Sequence, residues 1–122
     1  MKFNIKLKAE IEEYKSYTII VEGQKDVLAL KSLGFEKVYA IHKTSITLKE
    51  RVGQIAKLVG KKEKVCILTD LDKRGRKLYS TLKSMFPEHG IKLDSTLRGI
   101  LIKSHIPHIE GFYQFLEIVI KI

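Results

Sequence analysis

Residues 65–75 read VCILTDLDKRG, an apolar run that is followed by two aspartates, a basic pair and a glycine. A continuous run of aliphatic residues is typical of a strand that is buried on both faces, as in a parallel sheet. Residues 17–23, YTIIVEG, repeat this arrangement, because an apolar run again ends on an acidic residue and a glycine. Residues that follow parallel strands meet at one edge of an open α/β sheet, where ligands bind. The two stretches therefore predict a parallel sheet with an acidic site at its edge.

The segments around these two strands alternate between helical and extended patterns, as expected for βαβ units. The spacing of apolar residues predicts a short strand at 37–41 and helices at 25–33, 47–59 and 78–86. The sequence thus predicts an α/β fold with a mostly parallel sheet of about four strands flanked by helices.

The two ends of the chain carry weaker patterns. The first sixteen residues fit a short strand and then a helix through Tyr14. Beyond Gly90, either Asp94 or Ser95 can cap a short helix that ends at residue 102. A last strand at 105–109 and a final helix at 110–120 complete the prediction.

Length and composition predict one domain over residues 1–122. With 44% hydrophobic residues, a chain of 122 residues can build a core of its own. The single cysteine, Cys66, excludes an internal disulfide and a cysteine-based zinc site. Charges are scattered through the N-terminus, and no run approaches the roughly 18 apolar residues of a membrane span. We therefore expect a cytoplasmic protein with no membrane partner.

The charge balance indicates a polyanionic partner. The chain has 23 Lys and Arg against 14 Asp and Glu, which gives a formal charge of +9. Basic residues that neutralise phosphates release condensed counterions, so RNA or DNA is the expected partner. An alternative origin of the basic excess is adaptation to high temperature, which enriches Lys and Glu.

Three carboxylates form the candidate site. Glu22 follows the 17–21 strand, and Asp70 and Asp72 follow the 65–69 strand. If the two strands are neighbours, the carboxylates converge, and their repulsion calls for a cation. Oxygen ligands suit Mg²⁺, which keeps several waters and also binds substrate phosphates. The alternative interpretation is that Asp70 caps the next helix and Glu22 sits in a turn.

Two segments, VEGQKDVLAL at 21–30 and ILTDLDKRGRKL at 67–78, resemble the two signature motifs of the Toprim domain. This domain is shared by topoisomerases, primases and several small nucleases. Its pattern is an acidic residue and a glycine after the first strand, then Asp, any residue, Asp and a glycine three positions on. The resemblance covers residues 17–86 and implies a Rossmann-like Toprim fold. The matching residues are Glu22, Gly23, Asp70, Asp72 and Gly75.

The resemblance also implies roles for these residues. Asp70 and Asp72 would ligate Mg²⁺, with Mn²⁺ as a substitute, and Glu22 would act as a general acid/base or as a further ligand. Gly23 and Gly75 would let the backbone turn tightly beside the site. Topoisomerases and primases need additional domains, so the length predicts a stand-alone Toprim protein. Its first motif is similar to that of the primases, and its core is similar to a ribosomal-RNA maturation nuclease.

Basic residues surround the two motifs. Positive charge at the start of a helix opposes the helix dipole, so carboxylates or a phosphate backbone should compensate it. We expect substrate contacts from Lys25, Lys73, Arg74, Arg76 and Lys77. His42 and Thr44 follow the second strand at the same sheet edge and are weaker candidates for substrate contact. A metal site at His105, His108 and Glu110 is disfavoured, because alternation along a strand would separate the two histidines.

Three functions are compatible with these residues. The leading hypothesis is a Mg²⁺-dependent nuclease, or a related phosphotransferase, acting on RNA or DNA. The second is a Toprim module that binds RNA or DNA without catalysis, for example in a ribonucleoprotein, with a protein partner or as a homodimer. The third, a haloacid-dehalogenase-like phosphohydrolase, fits poorly because its nucleophilic Asp would follow the first strand and Glu22 would have no role.

Overall fold

A parallel sheet lies at the centre of the protein in the computed structural model, which describes residues 5–60, 62–106 and 108–121. Its strands are β1 (Thr18–Val21), β2 (Lys37–Ala40) and β3 (Val65–Leu68), in the order β2-β1-β3. The last residue of β1, Val21, pairs with Ala40 on one side and with Leu68 on the other. All three strands therefore end level with one another at the same edge of the sheet.

Helices connect and flank the strands within the described ranges. They are α1 (Ile5–Tyr14), α2 (Gln24–Ser32), α3 (Leu48–Leu58), α4 (Lys73–Met85), α5 (Thr96–Lys103) and α6 (Ile109–Lys121), with a 3-10 turn at Phe86–His89. Two of these helices begin at side-chain caps, because Thr47 accepts a hydrogen bond from the Glu50 N–H and Asp72 accepts one from the Gly75 N–H. No helix among these residues is both long and apolar enough to cross a membrane.

Two hydrophobic clusters cover the two faces of the sheet. Successive side chains of a strand point to opposite faces, so Ile19 and Val21 join one cluster while Ile20 joins the other. The first cluster includes residues of α1, α2, α5 and α6, and the second includes residues of α3 and α4. Burial on both faces explains why β1 and β3 are uninterrupted apolar runs.

The architecture confirms the predicted fold class, although the sheet has three strands in the described ranges instead of about four. The strand predicted at 105–109 is wrong. His105 has a left-handed backbone with φ 58 just after α5, and Ile109 already begins α6. Pro107 lies outside the described residues, as does the short strand expected before α1 if it occupies residues 1–4.

Helix α4 begins before the range 78–86 that the apolar spacing gave, and its start agrees with the placement of the basic residues 73–77 at the beginning of this helix. It starts at Lys73 and not at residue 78, because Asp72 caps it directly after the acidic segment. The basic residues at 73–77 consequently lie in the first one and a half turns of α4, directly after Asp72.

Candidate functional site

Glu22 and Asp70 lie together at the edge where the strands end. Each follows a strand whose last residues, Val21 and Leu68, are paired with each other. The Asp70 backbone N–H donates a long hydrogen bond of 3.4 Å to Glu22 Oε1. Both residues line a cavity of about 290 Å³, called here the acidic cavity. The structure therefore brings together two of the three carboxylates that the sequence singled out.

Asp72 has a different position. Its Oδ1 accepts the Gly75 N–H at 2.7 Å and caps α4, and Asp72 is not among the residues that line the acidic cavity. Within the described ranges, no group of three or more His, Cys, Asp and Glu residues is arranged to hold a metal ion. The sequence allowed Asp70 to cap the helix that follows it, but in the structure Asp72 is the residue that caps this helix.

The composition of the acidic cavity fits a hard cation. Besides Glu22 and Asp70, the carboxylates of Asp26 and Glu110 line it, and Lys25 and His42 are the basic residues of the lining. Mg²⁺ is commonly held by one or two carboxylates together with waters and substrate phosphates. Glu22 and Asp70 supply oxygen atoms of the kind that such an ion binds, and they are the two predicted ligands that line the cavity.

Helix α6 orients the Asp70 carboxylate. The N–H of Ile109, the first residue of α6, donates a hydrogen bond of 2.9 Å to Asp70 Oδ1. N–H groups in the first turn of a helix have no partner within the helix, and the helix dipole favours a negative charge there. The end of β3 and the start of α6 are thus joined through the candidate metal ligand.

A second link from α6 reaches the loop after β1. The Tyr113 hydroxyl donates to Asp26 Oδ1 at 3.1 Å, and Asp26 Oδ2 accepts the Gly23 N–H at 3.1 Å. Burial raises the pKa of Tyr113, and the nearby Asp26 carboxylate acts in the same direction, so the hydroxyl remains a donor. The sequence reasoning missed both residues. Asp26 could have been found, because an acidic residue three positions after the N-cap residue Gly23 is typical of a capping box.

A buried arginine supports the other loop of the site. Arg98 is only 4% exposed. Its Nη1 donates to the carbonyl oxygen of Thr69 at 2.7 Å and to Thr69 Oγ1 at 3.0 Å. The guanidinium lies 4.1 Å from the centre of the Tyr79 ring. Burial lowers the pKa of Arg98, while the negative charges of Glu22 and Asp70 raise it. This arginine, on α5, was also missed by the sequence reasoning.

The two glycines of the motifs differ in whether a side chain would fit at their position. A Cβ on Gly75 would overlap the carbonyl oxygen of Asp70, and the Gly75 carbonyl also accepts a hydrogen bond of 2.8 Å from Thr69 Oγ1. Gly23 has extended backbone, with φ −138 and ψ 177, and a Cβ there would come no nearer than 4.0 Å to Asp26 Oδ2. The chain bends at Gly23 as well, but only Gly75 requires a glycine, because a side chain fits at Gly23.

The predicted basic residues divide into two groups. Arg74 is 75% exposed at its side chain, and its Nη2 pairs with Glu22 Oε2 at 3.2 Å. Arg74 and Lys77 line a second cavity, of about 250 Å³, and Lys25 lines the acidic cavity. Lys73 and Arg76 are exposed on α4 and line neither cavity. Arg74 is thus partly compensated by a carboxylate, as expected for a cation at a helix start.

Similar proteins were found both by sequence and by structure. A sequence model of the Toprim domain matches residues 18–106. This range extends past residue 86, where the resemblance of the motifs ended, and it stops before α6. The chain is 39% identical over 117 residues to a UPF0292 protein of Methanocaldococcus jannaschii, covering 91% of this chain and 84% of that protein. It is 31% identical over 118 residues to a UPF0292 protein of Methanosarcina barkeri, covering 91% and 78%. A solved structure, a putative protein from Aquifex aeolicus, is similar with a TM-score of 0.70 and 25% identity, covering 88% of this chain and 97% of that one.

Proposed function

Because this chain belongs to the Toprim domain family, we propose that it is a divalent-metal-dependent nuclease acting on RNA or DNA. Toprim domains generally bind divalent ions such as Mg²⁺ and are associated with metal-dependent nucleic-acid processing. The observation that carries the proposal is the meeting of Glu22 and Asp70 in one cavity, with Arg74 bound to Glu22 at its rim.

Each residue has a distinct part in the proposed reaction. Glu22 and Asp70 would hold Mg²⁺, or Mn²⁺ in its place, and such an ion would supply positive charge beside the phosphate. The Asp70 N–H donates to Glu22 Oε1 and Arg74 donates to Glu22 Oε2, so the two contacts hold the carboxylate that would accept a proton from the attacking water. Asp72 takes part through its second oxygen or through a water, because Oδ1 caps α4.

Substrate binding is assigned to the basic residues around this site. Arg74, Lys77 and Lys25 line the cavities and are placed to contact phosphates near the ion. Lys73 and Arg76 are exposed on the same helix and extend the positive surface. Contacts of this kind would weaken with salt, because each one releases counterions.

Cleavage assays on labelled structured RNA and DNA, with Mg²⁺, Mn²⁺ or a chelator, test the proposal. We expect metal-dependent cleavage that falls by about 100-fold or more in Asp70→Asn and in Glu22→Gln. Asp72→Asn should have a smaller effect, because a neutral side chain can still cap α4. Glu88→Gln, at an exposed position in the 3-10 turn, is the matched control. Undiminished cleavage by Asp70→Asn would contradict the proposal.

A second candidate is a Toprim module that binds nucleic acid without cleaving it, alone, as a homodimer or with a protein partner. The position of Asp72 as a helix cap, outside the acidic cavity, favours this alternative. It predicts metal-assisted binding without turnover in any metal. Log affinity should then fall with log salt by about 0.9 per phosphate contacted on duplex DNA and by about 0.7 on single strands.

A further inference from the structure

A pocket with an apolar floor lies beside the proposed catalytic site. The cavity, of about 420 Å³, is lined by Ile41, Ile46, Leu48 and Leu78 and by the polar residues at 42–44. Its volume lies within the roughly 300–1,000 Å³ of small-ligand sites. We propose that this pocket receives one unpaired nucleotide of the RNA or DNA substrate, adjacent to the phosphate at the acidic cavity. The inference rests on the proposed function for the position of that phosphate.

His42 connects the pocket to the acidic cavity. It lines the apolar pocket, the cavity bordered by Arg74 and Lys77, and the acidic cavity. Leu78 is shared by the first two of these cavities. The three cavities therefore adjoin one another at His42, and together they are called the groove here.

The chemistry of the groove matches a nucleotide in two respects. Aliphatic side chains at the floor can pack against the face of a base, as apolar residues do around extruded bases. Cations stand beside this floor, since Lys43 lines the pocket and Arg74 and Lys77 line its neighbour. A ligand that is both flat and anionic can contact the apolar floor and the neighbouring cations together, whereas a neutral apolar ligand contacts the floor alone.

The pocket wall is held in place by contacts at both ends of its loop. Arg51 Nε donates to the carbonyl oxygen of Ala40 at 2.8 Å, which ties α3 to the end of β2. Thr47 caps α3 through the Glu50 N–H at 3.1 Å. Between them Ser45 has φ 70, a conformation that a non-glycine residue keeps only where its surroundings impose it. The two ends of this loop are therefore anchored to β2 and to α3.

A base can pack on the apolar floor only if one of its faces is not stacked against a neighbouring base. This requirement limits which substrates fit the pocket. In a duplex each base is stacked on both faces, so entry requires unpairing and unstacking. This cost is least at a bulge, a loop or an end, and unpaired bases of this kind are what proteins commonly recognise in RNA. We therefore expect binding to be selective for substrates with an unpaired nucleotide.

Hairpins that carry 2-aminopurine test the pocket directly. One hairpin has this fluorescent base as a single-nucleotide bulge, and the other has it paired in an otherwise equal stem, each made as RNA and as DNA. We expect the protein to bind the bulged hairpin about tenfold more tightly and to change its fluorescence. The RNA and DNA pairs show which sugar the groove accepts. Binding is measured without divalent metal, so cleavage does not enter the result.

Pocket variants make the test specific. Ile46→Glu puts a negative charge in the pocket and should remove most of the preference for the bulge. Lys57→Gln, at an exposed position near the end of α3, lowers the net charge by the same amount and should leave the preference within about twofold of the original. If Ile46→Glu fails to fold by circular dichroism, Lys43→Gln at the exposed rim replaces it.

The outcomes separate this inference from the proposed function. Equal affinity for bulged and paired hairpins, with no fluorescence change, overturns the pocket even if metal-dependent cleavage is found. Selective binding that is lost in the pocket variant supports the pocket even if no metal supports cleavage. A preference for the bulge that persists unchanged in Ile46→Glu and in Lys43→Gln also overturns it.

Discussion

Ile109 and Asp70 are 39 residues apart in the sequence and are joined by a hydrogen bond of 2.9 Å from the Ile109 N–H to Asp70 Oδ1. The donor begins α6, which lies beyond the stretch that matches the Toprim domain. The C-terminal helix therefore takes part in orienting a carboxylate of the signature motif. Four predictions follow from the contacts that hold this site and the sheet beneath it.

Tyr113→Phe removes the hydroxyl that donates to Asp26 Oδ1. The free energy of unfolding should fall by about 1–2 kcal/mol, because a partly buried acceptor loses its donor. Mg²⁺ affinity should also fall, because Asp26 in turn holds the Gly23 N–H beside Glu22. Denaturant unfolding and calorimetric Mg²⁺ titration measure the two effects. Tyr39→Phe, on the opposite cluster, is the control, and equal behaviour of the two variants would contradict a contribution of the Tyr113 hydroxyl to the site.

Arg98→Met leaves the carbonyl and hydroxyl of Thr69 without their buried donor. We expect a loss of about 2–3 kcal/mol in unfolding free energy, since hydrogen bonds from a charged donor are the stronger kind. Arg98→Lys should recover part of the stability but not the fork of hydrogen bonds. Arg76→Met, at an exposed position on α4, should change the stability by less than about 0.5 kcal/mol. An equally small change in the stability of Arg98→Met would contradict the role of Arg98 in supporting the loop at Thr69.

Gly75→Ala places a methyl group against the carbonyl oxygen of Asp70, where no space is available. The loop must move, so we expect a loss of about 1–3 kcal/mol or more together with weaker Mg²⁺ binding. Gly99→Ala is the matched control, because it is also helical and has no atom within 4 Å of the added Cβ. That control should be neutral or more stable by up to about 1 kcal/mol. Thermal unfolding that ranks the two variants the other way would refute the close approach at Gly75.

Glu63 ties the starts of two strands together and should make stability depend on pH. Its carboxylate accepts from Thr18 Oγ1 at 2.7 Å and from Lys37 Nζ at 2.9 Å. The hydrogen bond from Thr18, and then that from Lys37, lowers the pKa of Glu63 below its usual value of 4.5. A carboxyl group with a lowered folded-state pKa stabilises the protein above its unfolded pKa and loses that contribution as the pH falls through the folded value.

Urea unfolding of the wild type and of Glu63→Gln between pH 7 and pH 2 measures this contribution. The wild type should be the more stable protein at pH 7, and the difference should shrink as the pH falls below about 4.5, the usual Glu value. Glu88→Gln, which is exposed in the 3-10 turn, should show no such convergence. A difference that stays constant across this range would show that the contribution is not carried by the charge of Glu63.

The sequence was sufficient for the core of the fold and for the meeting of two acids. Apolar runs at 18–21 and 65–68 specify buried parallel strands, and residues that directly follow parallel neighbours must share an edge. Glu22 and Asp70 therefore came together as expected. Local rules were less reliable near the C-terminus, where residues 105–109 were predicted as a strand although Ile109 begins a helix.

Only the tertiary structure decided how the site is supported. Asp72 caps α4, because its Oδ1 accepts the Gly75 N–H. The sequence had also allowed Asp70 to be the cap. Arg98 reached Thr69 across 29 residues, and Tyr113 reached Asp26 across 87. Such contacts depend on how α5 and α6 pack on the sheet, and that packing is set by the summed burial of many apolar side chains. Periodicity along the chain reports which face of a helix is buried, but not which residues it will meet.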